Sequence, residues 1–440
     1  MLGGTRNPFA TGVRSAMSQP AAPAKAPLLV IFLTVFIDLL GFGMVLPLLP
    51  IYGKMFSHDT TGQVPGMLLA SFSAAQFLFA PLWGRLSDRV GRRPILMIGL
   101  GGSVFSYLVF GWAATSQSLF WLFVARIGAG ICGATIPTAQ AYIADSTTVE
   151  NRAKGMALIG AAFGLGFTFG PLLGAAALLS DDQAASPYPG YVAAALSAIA
   201  LGLAVFLLPE SLHPGSQRAG GGWLNLGALR DALSIPSVGL LLLTGFVSIL
   251  SFSNFESTLS LFVTEPKGGF ELSKEMLYVI YAYIGIVLSG VQGGLVRRLA
   301  GRVPETALAT IGAATTIVGY GLLALSSELR LVWLMFVALT IEVSGFAFLP
   351  ASLNALLSRR SDPSKQGGIF GVNQSAQALA RIIGPVMGNR LLAASETSAT
   401  WPFISAALLM CVALVMVGIA GRRGRDFIAR PMPTAAQEQP

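Results

Sequence analysis

The sequence predicts an all-α membrane protein of twelve transmembrane helices arranged as two pseudo-symmetric six-helix bundles. Three observations predict it. The 440 residues are 54% hydrophobic and only 11% charged, with a mean hydropathy of +0.69, outside the range of water-soluble domains. Apolar runs of about 20 residues, enough to cross roughly 30 Å of hydrocarbon, recur along nearly the whole chain. The second half also repeats signals of the first at an almost constant offset.

In chain order, residues 1–27 are rich in Ala and Pro and lack an apolar core followed by a small-residue cleavage site, so they read as a disordered cytoplasmic tail. The next six runs, 28–52, 65–86, 95–115, 119–144, 155–179 and 190–209, make an N-terminal bundle over 28–209. The polar stretch 210–236, with Pro214 and Gly220 to Gly222, reads as a cytoplasmic linker that divides the spans six and six. Within it, Trp223 to Leu233 reads either as an amphipathic surface helix or as flexible chain. The runs 237–264, 276–299, 305–326, 331–357, 368–394 and 401–420 make a C-terminal bundle over 237–420, and 421–440 is a second cytoplasmic tail. Trp121-Leu122 matches Trp333-Leu334, Pro137 matches Pro350, and Gly170-Pro171 matches Gly384-Pro385, at offsets of 212, 213 and 214. This is a parallel repeat of two six-helix units.

The net charge of +8 does not point to nucleic acid, because the basic residues are spread among connectors and form no single face. With the N-terminus inside, 21 of the 28 Lys and Arg fall on the cytoplasmic side, which sets both termini there by the positive-inside bias. The expected location is a cell membrane, inner or plasma, as a multi-pass protein. Cys132 and Cys411 lie within spans, and His58 and His213 lie in separate loops, so neither disulfide nor metal site is implied. No phosphate-binding G-x-x-x-x-G-K-[ST] occurs, and Gly128 to Gly133 satisfies G-x-G-x-x-G only inside an apolar span without a preceding strand. An enzyme and a bound cofactor are not expected.

The densest motif is Gly84-Arg85-Leu86-Ser87-Asp88-Arg89-Val90-Gly91-Arg92-Arg93-Pro94, five charges in a tight turn between spans two and three. It resembles the corresponding loop of the major facilitator superfamily. That resemblance implies a rocking-bundle transporter with a central site, and a cytoplasmic gate built from Gly84, Asp88, Arg89, Gly91, Arg92 and Arg93, which docks on the opposite bundle when the inner side is closed. Asp145, in Tyr142-Ile143-Ala144-Asp145, resembles the tetracycline-exporter branch and stands where it could meet the basic turn. In the second half the turn is echoed by Gly294 to Arg302, with Arg298 in place of Asp88.

Span five carries Gly166, Gly170, Pro171 and Gly174, small residues that let helices approach closely around a bend. The stripe resembles the superfamily's antiporter motif, although Ala175 replaces a terminal glycine. Three acids stand within spans, Asp38, Glu256 and Glu342, along with two arginines, Arg126 and Arg381. Charge inside a membrane is expensive and marks an ion or substrate pathway or a specific pair. Phe36 to Pro50, with Asp38, is similar to the first helix of tetracycline/proton antiporters, which implies a proton-coupling place. Asn254 to Ser260 also resembles span seven of vertebrate tetracycline-transporter-like proteins. All five charged residues are proton-coupling candidates. Of the amides, Gln140, Asn373 and Gln377 are the candidate substrate contacts, with helix bridging as the alternative use.

The expected function is proton-coupled efflux of lipophilic or amphipathic small molecules by alternating access, carried out by a monomer in the lipid bilayer. The alternatives are a facilitator or symporter of organic anions, or a receptor or scaffold that transports nothing.

Overall fold

The computed structural model describes residues 25–57, 59–147, 149–178, 185–212, 236–268, 270–299, 301–361, 366–394 and 399–423. Most of the expected linker, most of both tails, His58 and His213 lie outside the described residues. Among those described the chain is all helix and connector, without strands, and ten helices are long and apolar enough to cross a membrane. Spans one to four are Leu28–Ser57, Gln63–Val90, Arg92–Thr115 and Leu119–Asp145; span six is Tyr188–Leu207. Spans seven to ten are Ser237–Thr264, Lys274–Leu299, Glu305–Leu329 and Val332–Arg360, and span twelve is Trp401–Arg422. Span five, Val149–Leu178, and span eleven, Gln366–Ala393, complete the twelve. Span eleven is the polar one, with Asn373, Gln374, Gln377, Arg381, Asn389 and Arg390 along its length.

Within the first half, span one packs on spans five and six and span three on four and six; within the second, span seven packs on eleven and twelve and span nine on ten and twelve. Two seams join the halves, span two against eleven and span five against eight. Both ends of the described chain lie on one face, the terminal face, together with the 84–94 turn. At the opposite, far face the seams are tight. Gly62 takes a left-handed φ of 69° against the Asn389 backbone, and a Cβ on Gly66 would lie 2.8 Å from Pro385 O, so only glycine fits there. Tyr278 Oη donates to Met44 O at 2.8 Å across the halves, and Lys54 pairs with Glu265. Lys267 donates to Leu392 O at 2.7 Å beside that pair. Burial pushes the Lys267 ammonium below its ordinary range; Glu265 opposes the shift and Lys54 adds to it. Toward the terminal face, nothing stands within 4 Å of where side chains would project from Gly290, Gly293 and Gly294 of span eight or Gly371 of span eleven. The molecule is closed at its far face and parts toward its terminal face.

Span four departs from the single helix expected over 119–144. It breaks between Leu119–Gly133 and Ile136–Asp145. Pro137 has no N–H for the carbonyl four residues back, which is that of Gly133. Gln76 Nε2 of span two donates to Gly133 O at 3.3 Å instead, and Trp83 Nε1 donates to Ile131 O at 2.7 Å. Two side chains of span two thus replace helix hydrogen bonds at the break. Span one is likewise extended beyond 52 by a 3-10 turn at Leu46–Leu48 that leads into Leu49–Ser57.

Candidate functional site

The turn after span two is tied down on its own bundle. Gly91 turns the chain at φ 114°, where a side chain would be strained and would meet the Glu210 carboxylate. Glu210 accepts from the backbone N–H of Arg92 at 2.9 Å and of Arg93 at 3.1 Å, a carboxylate at the start of span three where the helix leaves its donors free. Arg92 is 4% exposed and donates to Ser87 Oγ at 2.6 Å, to Asp145 Oδ2 at 3.1 Å and to Asp88 Oδ1 at 2.6 Å. Arg93 reaches Val205 O at 2.5 Å. Nothing lies within 4 Å of a side chain added at Gly84, and Arg89 is exposed. In this state Asp88 is engaged by Arg92 of its own bundle. Glu210 was not singled out in the sequence; its signal is that of an acid immediately after Pro209 at the end of a span on the most basic face.

Of the charges inside the first half, Asp38 of span one accepts from Ser197 Oγ of span six at 3.1 Å, with Ser103 of span three as a further partner. Tyr107 of span three interacts with the charges of both Asp38 and Arg126. Arg126 is 3% exposed, with its guanidinium carbon 4.4 Å from the Phe72 ring centroid and 5.8 Å from that of Phe42. Stacking on aromatic faces stabilises a guanidinium away from water. Its Nε has no hydrogen-bond partner. Asp38, half-buried, and Arg126 therefore share one polar cluster, linked through Tyr107 and lined by hydroxyls.

The second half holds its charges differently. Glu342 of span ten is fully buried, with both carboxylate oxygens lacking a well-formed hydrogen bond; the Tyr320 side chain is a polar neighbour. Its backbone packs so tightly on Gly319 of span nine that a Cβ there would lie 2.5 Å away. It faces span nine. Glu256 of span seven and Arg381 of span eleven are close enough to act on each other electrostatically. Arg381 is exposed although protein surrounds it.

The glycines of span five serve two surfaces. Gly166 and Gly170 lie on span one, where Cβ atoms would come within 2.7 Å of Leu39 Cβ and 2.8 Å of Leu40 O. Gly174 instead makes room for the Tyr278 ring of span eight, and Pro171 lies inside the helix. The candidate amides also separate. Asn373 Nδ2 donates to Asn354 Oδ1 at 3.1 Å, bridging spans eleven and ten, while Gln140 and Gln377 are half-buried.

Residues 31–385 match the family model of the Major Facilitator Superfamily. The chain belongs to the major facilitator superfamily. Within the superfamily it is 33% identical over 402 residues to the class C tetracycline resistance protein of Escherichia coli, covering 90% of this chain and 98% of that one. It is 30% identical to major facilitator superfamily domain-containing protein 10 of Bos taurus, over 85% of this chain and 89% of that one. The crystal structure of the human organic anion transporter MFSD10 (TETRAN) matches with a TM-score of 0.70 at 26% identity, covering 91% of this chain and all of that one. A D-xylose-proton symporter shares the fold at a TM-score of 0.71 and 16% identity, over 88% of this chain and 96% of that one. This superfamily member is an integral multi-pass membrane protein and a transporter, not an enzyme.

Proposed function

We propose that this transporter exports lipophilic or amphipathic small molecules against a gradient in exchange for protons, with both termini in the cytoplasm. The observation that carries the reading is Asp38, a carboxyl inside the first bundle whose bonding partners are hydroxyls and which has no basic side chain within ion-pair distance among the described residues. A carboxyl in low dielectric is least costly when uncharged, so a change of exposure between transport states changes its hold on a proton. The similarity to tetracycline resistance proteins supports the direction, since a membrane transporter protects a cell by moving the compound out. In this reading the structure is the inward-open state, the Lys54–Glu265 contact belongs to the closed outer gate, and the 84–94 turn docks on the opposite bundle only after rocking.

The test is flux in proteoliposomes of the purified chain, loaded with a lipophilic fluorescent probe, with a pH gradient imposed in either direction. Proton-driven exchange predicts that reversing the gradient reverses net movement of the probe. Movement indifferent to the gradient identifies a facilitator, and movement of protons along with the probe identifies a symporter.

A further inference from the structure

Arg381 is the exposed cation farthest from both faces among the described residues. The remaining basic side chains of the described spans stand near one face or the other, except Arg126, which is enclosed. By helical rise, Arg381 lies about 18 Å from the far end of span eleven and about 22 Å from its terminal end. One turn farther along, Pro385 meets Gly66 of span two and Gly384 meets Ser253 of span seven, so the seam seals directly beyond it. Arg381 therefore stands exposed one turn to the terminal side of that seal.

The guanidinium there makes no hydrogen bond or ion pair with a described residue; Glu256 acts on it through space. A guanidinium at mid-membrane depth is costly unless it is hydrated, paired, or kept for a ligand. Gln377, one turn back on the same face, is half-buried and supplies an amide. Span seven offers Phe252 one turn before Glu256, partly exposed and stacked on Phe346 with ring centroids 3.9 Å apart. A cation with free N–H groups, an amide and an aromatic wall suit a planar anion on an aromatic body, because the guanidinium fork matches a carboxylate with two parallel hydrogen bonds.

Resting on the transporter reading above, we infer that Arg381 is the substrate anchor for amphipathic molecules carrying a carboxylate or sulfonate, and that Glu256 is an internal anion competing with the substrate for it. The roles give effects of opposite sign. Removing the guanidinium abolishes the anchor, whereas neutralising Glu256 strengthens it. If the two residues were only a structural pair, both losses would weaken the fold and neither would tighten binding.

The test uses the full chain in lipid nanodiscs, with radiolabelled 1-naphthaleneacetate as probe and its uncharged methyl ester as control, each variant checked for monodispersity and melting temperature. The expected results are saturable binding of the acid, at least tenfold loss in Arg381→Met, partial recovery in Arg381→Lys, and severalfold tightening in Glu256→Gln. The ester should bind weakly and alike in all four proteins. Equal affinity for the acid in wild type and Arg381→Met, weaker binding in Glu256→Gln, no saturable binding, or equal binding of ester and acid would each overturn the anchor. Gradient-driven flux of a neutral lipophilic probe, measured in parallel, separates the two ideas. If that flux persists while acid binding fails, only the anchor falls; if flux of both probes is absent while acid binding stands, the transport reading falls.

Discussion

The two halves of this transporter share a scaffold but use their polar residues differently. Ser251 and Tyr320 stand 213 positions after Asp38 and Tyr107. Ser251 donates to Ala406 O of span twelve at 2.8 Å and lies 3.5 Å from Tyr320 Oη, as Asp38 lies among Ser197 and Tyr107. The first half has an acid where the second has a hydroxyl. The second half instead buries Glu342 one helix away and exposes Arg381 toward the opening. A repeated fold thus leaves each half free to specialise, with a half-buried acid among hydroxyls in one and an exposed cation in the other.

The strongest way to probe the shared part of this comparison is to overfill equivalent glycines. Gly170 lies on span one, and Gly384, its repeat, lies on span seven, where an added Cβ would stand 2.8 Å from Ser253 Cβ. Gly170→Leu and Gly384→Leu should each destabilise their bundle by about 3 kcal/mol, since neither backbone neighbour can move aside. Thermal unfolding in detergent would read this; a loss confined to one of the two would break the equivalence.

A gain in stability is expected at the fully buried acid of the second half. Glu342→Met replaces a carboxyl without good partners by an apolar side chain of similar size and should raise stability by about 1–2 kcal/mol, because an unsatisfied buried polar group carries a penalty of that order. A melting temperature that falls in Glu342→Met would mean that Tyr320 holds the carboxyl in a stabilising hydrogen bond.

A smaller effect is expected at the terminal face. The first turn is anchored by Glu210, whereas its echo in the second half has Gly301 at φ 77° and an exposed pair, Arg359 to Glu305 at 2.8 Å. Glu210→Ala should cost about 1 kcal/mol and increase amide exchange at Arg92 and Arg93, the donors it satisfies. Unchanged exchange there would show that Arg92 and Asp145 hold the turn without it.

The spans were legible in the sequence because hydropathy over about 20 residues is a strong signal, and the halves because Gly170-Pro171 and Gly384-Pro385 keep their spacing. The break in span four was less so, since Pro137 has a repeat, Pro350, that stays within the unbroken helix Val332–Arg360. What decides is the partner: Gln76 and Trp83 complete the carbonyls of span four. The site was legible as residue types only. Asp38, Glu342, Arg126 and Arg381 announce themselves as charges in apolar runs, but which face each takes depends on packing between helices far apart in sequence. The Glu210 cap and the Lys54–Glu265 contact depend on pairings more than 100 residues apart, to which no local pattern points.

In the proposed cycle, Asp38 couples proton movement to transport. Asp38→Asn keeps the shape and removes the titratable group, so it should fold, exchange probe downhill, and fail to concentrate it under an inward proton gradient worth about 2.3 kcal/mol per 100 mV for each charge moved. The decisive measurement is probe accumulation in wild-type and Asp38→Asn proteoliposomes across a series of imposed pH gradients. Coupling through Asp38 predicts accumulation that rises with the gradient in wild type and stays flat in the variant; the same gradient dependence in both would contradict that role.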